Sequence, residues 1–142
     1  MNILVVDDCP TMCDIIGECL VRELPDAVVS LAYDGDEALR RIAELAPSFV
    51  VLNIIMEGKT GFDVLAQLRA EGNDVPILLT SGYAGEEVCR RRTLDDERVR
   101  FIGKPFKLDE FANKIRELLR IARSASPRAD KPSRRTRRWT SR

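Results

Sequence analysis

The hydrophobic pattern of this chain alternates between short apolar runs and longer stretches in which apolar and polar residues mix. Each short run holds four to six residues and is rich in β-branched and other apolar side chains. Such runs are typical of strands that are buried on both faces of a parallel sheet. We therefore predict strands over residues 3–6, 27–32, 49–53, 76–79 and 99–102.

The stretches between the first three strands predict two amphipathic helices with defined ends. Thr11 and Asp14 have the spacing of a capping box, in which two side chains satisfy free amides at a helix start. Asp34 is a suitable N-cap for a second helix, which we expect to run to about residue 46. Pro47 should end that helix, because proline cannot continue the backbone hydrogen bonding.

The second half of the chain predicts three further helices. Thr60 and Asp63 form another capping box, so a helix is expected over residues 62–70. Apolar residues at helical spacing predict a last helix over 108–121, whereas a helix over 85–94 rests on few apolar positions. Five strands alternating with five helices predict an α/β fold, a doubly wound parallel sheet with right-handed crossovers.

Length and composition fit one folded domain followed by a short tail. The chain has 142 residues, and 44% of them are apolar, which is enough for a core. Beyond residue 122 the sequence has no hydrophobic period and much Ser and Pro. We therefore expect residues 1–122 to fold and residues 123–142 to form a disordered basic tail. Residues 124–142 hold seven Lys or Arg and one Asp, which leaves 16 basic and 22 acidic residues before them.

Composition also excludes several classes of site. The chain has no histidine, so a Cys/His zinc site, an imidazole general base and a Ser-His-Asp triad cannot form. Its four cysteines include no C-x-x-C pair, and we expect them to be reduced thiols. The start, MNILVVDD, has no basic region and only a short apolar run. We expect neither a signal peptide nor a membrane span, and hence a cytoplasmic location.

Polar residues stand where the predicted strands end. Asp7 and Asp8 follow the first strand, Asn53 ends the third, Thr80 follows the fourth and Lys104 follows the fifth. In a doubly wound sheet the carboxyl ends of the strands border one crevice. Two acids, a hydroxyl and a lysine suit Mg²⁺-assisted handling of a phosphoryl group, because they can hold a hard cation and neutralise phosphoryl oxygens. A nucleophile is missing from the set.

Four motifs give this chain a specific family resemblance over roughly residues 1–122. They are VVDD, LNIIMEGKTGFDVL, LLTSG and FIGKPF. In residue types and spacing they resemble the receiver domain of bacterial two-component response regulators. The resemblance implies a flavodoxin-like fold with strand order 2-1-3-4-5.

By this resemblance each site residue has an implied role. Asp7 and Asp8 bind Mg²⁺ together with the residue at position 53 and the backbone carbonyl of Ile55. Asn53 stands at the phosphoacceptor position. The remaining roles are those of a hydroxyl that approaches the phosphoryl group, its lysine partner and an aromatic switch, and they fall to Thr80, Lys104 and Phe101. The peptide bond before Pro105 is commonly cis in such domains.

The chain departs from the family pattern at three positions. Glu57 replaces a usual proline and Thr60 a frequent aspartate, and both changes concern loop shape. Asn53 is different in kind, because an amide lacks the charge that makes a carboxylate a nucleophile and an anionic metal ligand. We expect no ordinary phosphoacceptance and weakened Mg²⁺ binding. Phe101 is equally well explained as a core residue or as a switch.

The function predicted from these residues is that of a single-domain receiver in phosphorelay signal transduction, which signals by docking to other proteins. The resemblance implies a sensor histidine kinase or phosphotransfer protein and a downstream protein target as partners, and a homodimer is left open. Asn53 has two explanations, an engineered substitution that traps the unphosphorylated state or a natural pseudo-receiver. The otherwise complete site favours the first.

Two alternative functions belong to other classes. A haloacid-dehalogenase-like phosphohydrolase would need an acid two residues after Asp7, where the chain has Cys9, so this enzyme class is disfavoured. The basic tail with Trp139 could bind nucleic acid or an acidic partner. Basic ends of this kind are more often solubilising segments, so we rank nucleic-acid binding below protein docking.

Overall fold

The structure is a computed structural model that describes residues 1–82, 91–93 and 95–124. Its elements in chain order are β1 (Asn2–Val6), α1 (Pro10–Glu23), β2 (Val28–Ala32), α2 (Gly35–Leu45), β3 (Phe49–Asn53), α3 (Gly61–Ala70), β4 (Ile77–Ser81), β5 (Val99–Gly103) and α4 (Leu108–Arg123).

The five strands form one parallel sheet in the order β2-β1-β3-β4-β5. All five strand predictions and the flavodoxin-like order are confirmed. Within the described ranges there are four helices, and of the predicted helix over residues 85–94 only 91–93 are described. Most of that prediction, and the predicted disorder of the tail after residue 124, lie outside the described residues.

The strands send alternate side chains into two apolar layers, because successive residues of a strand point to opposite faces. One layer lies under α2 and α3 and includes Leu4, Val6, Val50, Leu52 and Leu79 together with Ile42 and Val64 from the helices. The other lies under α1 and α4 and includes Ile3, Val5, Phe49, Val51 and Leu78 together with Ile16, Leu20, Phe111 and Ile115. A sheet covered on both faces holds its strand ends rigidly, so it can support a site.

The predicted capping box at the start of α1 is wrong. The helix begins at Pro10, with Cys9 as N-cap and no side-chain capping bond. Proline suits the first helical position, because its fixed φ fits the helix and its missing N–H would have had no partner there. The helix therefore starts two residues earlier than it would with Thr11 as N-cap, and the side chains of Thr11 and Asp14 are exposed.

The other predicted caps are confirmed. Asp34 Oδ1 accepts a hydrogen bond of 2.8 Å from the backbone N–H of Glu37 at the start of α2. Thr60 Oγ1 accepts from the N–H of Asp63 at 3.2 Å, and Asp63 Oδ2 accepts from the N–H of Thr60 at 2.9 Å. This last bond lowers the pKa of Asp63, because the N–H of Thr60 favours the charged carboxylate. Both reciprocal hydrogen bonds of the predicted capping box are therefore present at the start of α3.

Candidate functional site

Four predicted residues meet at the carboxyl edge of the three central strands and β5. Asp7 directly follows β1, Asn53 is the last residue of β3, and Thr80 lies opposite Asn53 in the β3–β4 register. All three side chains are buried. Lys104 follows β5, and its side chain is only 16% exposed. We call Asp7, Asn53, Thr80 and Lys104 with the carbonyl of Ile55 the carboxyl-end pocket.

Lys104 makes the main charge pair of the pocket. Its ammonium lies 2.8 Å from Asp7 Oδ2 and donates a second hydrogen bond of 3.2 Å to Asn53 Oδ1. The Asp7 carboxylate is 2% exposed, so its charge is compensated within the protein. The contact joins residues 97 positions apart in the sequence. It links the end of the central strand β1 to the loop that follows the edge strand β5.

The Asn53 amide uses both of its ends in the pocket. Its oxygen accepts from Lys104 and, at 3.3 Å, from the hydroxyl of Thr80. Its nitrogen donates to the carbonyl of Ile55 at 2.8 Å and makes a longer, weaker contact of 3.5 Å to Asp7 Oδ1. The opposite orientation would turn the NH₂ group toward an ammonium and the oxygen toward a carbonyl. The network therefore determines which way the amide points.

Two cysteines hold the strand end that carries Asp7. The N–H of Cys9 donates to Asp7 Oδ1 at 3.0 Å, and the buried thiol of Cys13 donates to the Asp7 carbonyl at 3.3 Å. Burial, and after it the charge of Asp7, raise the pKa of the Cys13 thiol to about 11. Cys13 is therefore a neutral hydrogen-bond donor at neutral pH. This role was not predictable from the sequence, because a thiol six residues after an acid has no recognisable motif.

Gly61 places the start of α3 directly against the end of β3. A Cβ atom at this position would lie 2.5 Å from the carbonyl oxygen of Asn53 and 2.9 Å from the Cα of Ile54. The N–H of Gly61 also donates to the Ile54 carbonyl at 2.8 Å. Because these are backbone atoms, a larger residue would have to move the Asn53 loop. This constraint was not predicted, although a glycine just after an N-cap threonine could have suggested it.

The remaining predicted site residues have different surroundings. Asp8 is exposed beside the pocket, and Ile55 exposes its side chain while its carbonyl faces Asn53. Phe101 is half-buried and packs against the apolar layer under α2 and α3. The peptide bond between Lys104 and Pro105 is cis, as predicted.

The donor set of the pocket does not fit a divalent metal ion as it is arranged. Among the described residues there is no group of three or more Asp, Glu, Cys or His side chains that could hold one. The Asn53 oxygen is turned toward Lys104 and Thr80, while its NH₂ group faces the Asp7 carboxylate and the Ile55 carbonyl. A hard cation needs oxygen ligands at these positions, and an N–H donor repels it.

A model of the response regulator receiver domain matches residues 3–116 of the chain. This chain belongs to the response regulator receiver family. Receivers are signalling modules of two-component systems, and they interact with histidine kinases or phosphotransfer proteins. Within the part of the receiver that the structure describes, no helix is long and apolar enough to cross a membrane.

Sequence relatives and solved structures agree with this assignment. The receiver is 40% identical over 123 residues to the response regulator MprA of Mycobacterium avium, an alignment that covers 84% of this chain and 51% of the relative. The chain therefore spans about half the length of the curated relatives it matches. It is also similar to the response regulator TrrA of Thermotoga maritima in complex with Mg²⁺-BeF, with 28% identity, a TM-score of 0.71 and coverage of 82% of this chain and 97% of that one.

A third similar protein is NtrX of Brucella abortus. Its structure has a TM-score of 0.78 and 27% identity, and the match covers 91% of this chain and 29% of that chain. The receiver fold thus occurs in relatives of quite different length. Magnesium is present in at least one of these receivers, since the TrrA structure contains it.

Proposed function

We propose that this receiver signals by docking to other proteins and that its site does not accept a phosphoryl group. The single observation that supports this most strongly is the amide at the end of β3, where Asn53 Oδ1 accepts hydrogen bonds from both Lys104 and Thr80. In the family the corresponding carboxylate oxygen attacks the phosphorus atom. An amide oxygen has no negative charge and is a poor nucleophile.

The proposed roles of the other site residues follow from their contacts. Lys104 would neutralise negative charge at the pocket, since its ammonium already lies 2.8 Å from Asp7. Thr80 would donate its hydroxyl to whatever acceptor stands at the end of β3, as it now does to Asn53. Asp8 would add negative charge at the rim, and Phe101 would report changes in β5 to the surface.

The proposed partners are a sensor histidine kinase or phosphotransfer protein and a downstream protein target. Receivers of the family act through such contacts, and the chain matches only about half the length of MprA, so the output of the complete relative does not transfer to it. Docking to a partner would not require chemistry at Asn53. In that case the partner responds to the amount of receiver present or to its fixed conformation.

The test is phosphoryl uptake from acetyl phosphate in the presence of Mg²⁺, followed by intact-mass spectrometry. The Asn53 protein is expected to gain no phosphoryl group. The matched variant Asn53→Asp is expected to gain one acid-stable, base-labile acyl phosphate, as its carboxylate attacks phosphorus and acetate leaves.

Two results would contradict the proposal. Uptake by the Asn53 protein, for example at Asp7 or Asp8, would show that the site still accepts phosphoryl groups. Failure of Asn53→Asp to take up any phosphoryl group, with its fold intact by circular dichroism, would show that the carboxyl-end pocket is not a phosphoacceptor site.

A further inference from the structure

We infer that the NH₂ group of Asn53 and the ammonium of Lys104 together take the place of a divalent cation, so that the carboxyl-end pocket is held together without a metal. This inference rests on the proposed function of the same site and goes further, because it concerns the inorganic ligand and not the phosphoryl group.

The amide nitrogen of Asn53 stands between two oxygens of the pocket. It lies 2.8 Å from the carbonyl oxygen of Ile55 and 3.5 Å from Asp7 Oδ1. These are two of the oxygens that the family resemblance assigns to the metal. The nitrogen presents one hydrogen to each direction, so it satisfies both oxygens from the position between them. An ion bound to the same two oxygens would overlap with it.

The charges in the buried part of the pocket already balance. The Asp7 carboxylate is nearly fully buried, and its other oxygen, Oδ2, is paired with Lys104 at 2.8 Å. One acid and one ammonium leave the buried part of the pocket neutral, because Asn53 adds no charge. Excess negative charge is what attracts a small, strongly hydrated dication out of water. The buried part of the pocket has none to offer, so the exposed carboxylate of Asp8 at the rim would have to attract the ion without help from Asp7.

A bound ion would have to displace existing hydrogen bonds of the Asn53 side chain. Turning the amide to present its oxygen to the ion would bring the NH₂ group against Lys104, an ammonium that has no acceptor. It would also remove the acceptor that Thr80 now uses. The ion would therefore break the contacts of three side chains at once, which makes metal binding unfavourable beyond the loss of one anionic ligand.

The test follows the side-chain amide of Asn53 by ¹⁵N NMR in the complete 142-residue chain. The resonance pair is assigned in the unchanged protein, through its connection to the Asn53 backbone resonances in a triple-resonance experiment. Both protons should be resolved and protected from exchange, because the buried NH₂ group donates one to the Ile55 carbonyl and directs the other at Asp7 Oδ1. Adding MgCl₂ to about 10 mM should leave them unshifted if the amide already fills the position of the ion.

A second measurement compares affinities with Mn²⁺ as the probe, detected through the electron paramagnetic resonance signal of the free ion. The Asn53 protein should bind Mn²⁺ at least about tenfold more weakly than Asn53→Asp, because that variant restores an anionic oxygen and removes the N–H donor. Asp36→Asn, an exposed acid on α2, is the control for loose surface binding and should behave like the unchanged protein.

The inference is overturned if Mg²⁺ shifts the Asn53 side-chain resonances, or if the Asn53 protein and Asn53→Asp bind Mn²⁺ with similar affinity. Neither result depends on phosphoryl uptake. A protein that binds the metal but takes up no phosphoryl group would refute this inference and leave the proposed function intact. The NMR arm needs only the unchanged protein once the pair is assigned, so it decides the matter even if Asn53→Asp is unstable.

Discussion

The two ends of the sheet both bury cations beside carboxylates, but they use them differently. At the carboxyl end Lys104 contacts two side chains, Asp7 and Asn53. At the amino end Arg69 pairs with Asp96 at 2.7 Å and also donates to backbone carbonyls. We call Arg69 and Asp96, with Arg98 and Asp74 beside them, the amino-end network.

The arginines of the amino-end network support the loops that enter β4 and β5. Arg69 donates to the carbonyls of Asn73 and Val75, both at 3.0 Å, and Arg98 donates to the carbonyl of Asp74 at 2.6 Å. A guanidinium can serve several acceptors in one plane, whereas an ammonium acts as a point charge. The cations of the amino end therefore hold backbone carbonyls as well as carboxylates, whereas Lys104 at the carboxyl end contacts the side chains of the site.

The largest predicted effect is therefore at the amino end. Arg69→Ala should lower the free energy of unfolding by about 3 kcal/mol, because the Asp96 carboxylate loses its guanidinium partner and two carbonyls lose a donor. Urea unfolding measures it. Arg40→Ala, at an exposed position on α2, is the control and should change stability by less than about 0.5 kcal/mol. A loss below about 1 kcal/mol for Arg69→Ala would remove the contrast between the two ends.

A second prediction concerns the backbone beneath the carboxyl-end pocket. Gly61→Ala should cost about 2 kcal/mol, because its Cβ would meet the Asn53 carbonyl at 2.5 Å. Gly17→Ala is the matched control in α1, where the new Cβ would make an ordinary contact of 3.8 Å with Val29. There alanine should stabilise by about 0.5–1 kcal/mol. Thermal unfolding of both variants should give shifts of opposite sign, and shifts of the same sign would contradict the close approach.

The third prediction is a pH dependence that arises from the buried Cys13 thiol beside the pocket. Burial holds the pKa of Cys13 near 11, above the 9.0 of a free thiol. Between these values the unfolded chain loses the proton and the folded chain keeps it. This contribution to stability is therefore complete below pH 9 and is lost as the pH rises toward 11, by roughly 1–2 kcal/mol. Cys13→Ala should unfold with a flatter alkaline profile than the unchanged protein, and an equally steep profile would contradict the role of this thiol.

Sequence and structure agree best where local pattern decides the outcome. The three central strands were predictable because their apolar runs are buried on both faces, whereas the edge strands β2 and β5 are partly exposed and were predicted from their apolar residues alone. Asp7, Asn53 and Lys104 were predictable because the carboxyl ends of parallel strands meet. The start of α1 was mispredicted because two plausible caps, Thr11 and the Cys9–Pro10 pair, compete within three residues, and the proline decides.

Long-range contacts could not be predicted in the same way. Arg69 and Asp96 are 27 residues apart, and no motif distinguishes them from other charged residues of the chain. The orientation of the Asn53 amide depends on four partners from four parts of the chain. Such networks follow from the packed fold, so a sequence can suggest their members but not their hydrogen bonds.

The central claim is that Asn53 stabilises the carboxyl-end pocket without a metal. The most direct measurement is urea unfolding of the Asn53 protein and of Asn53→Asp, each with EDTA and with Mg²⁺. In EDTA, Asn53→Asp should be less stable by about 1 kcal/mol, because a carboxylate would face Asp7 and the Ile55 carbonyl without a proton to donate. Mg²⁺ should restore that variant and leave the Asn53 protein unchanged. Equal stabilisation of both proteins by Mg²⁺ would contradict the account.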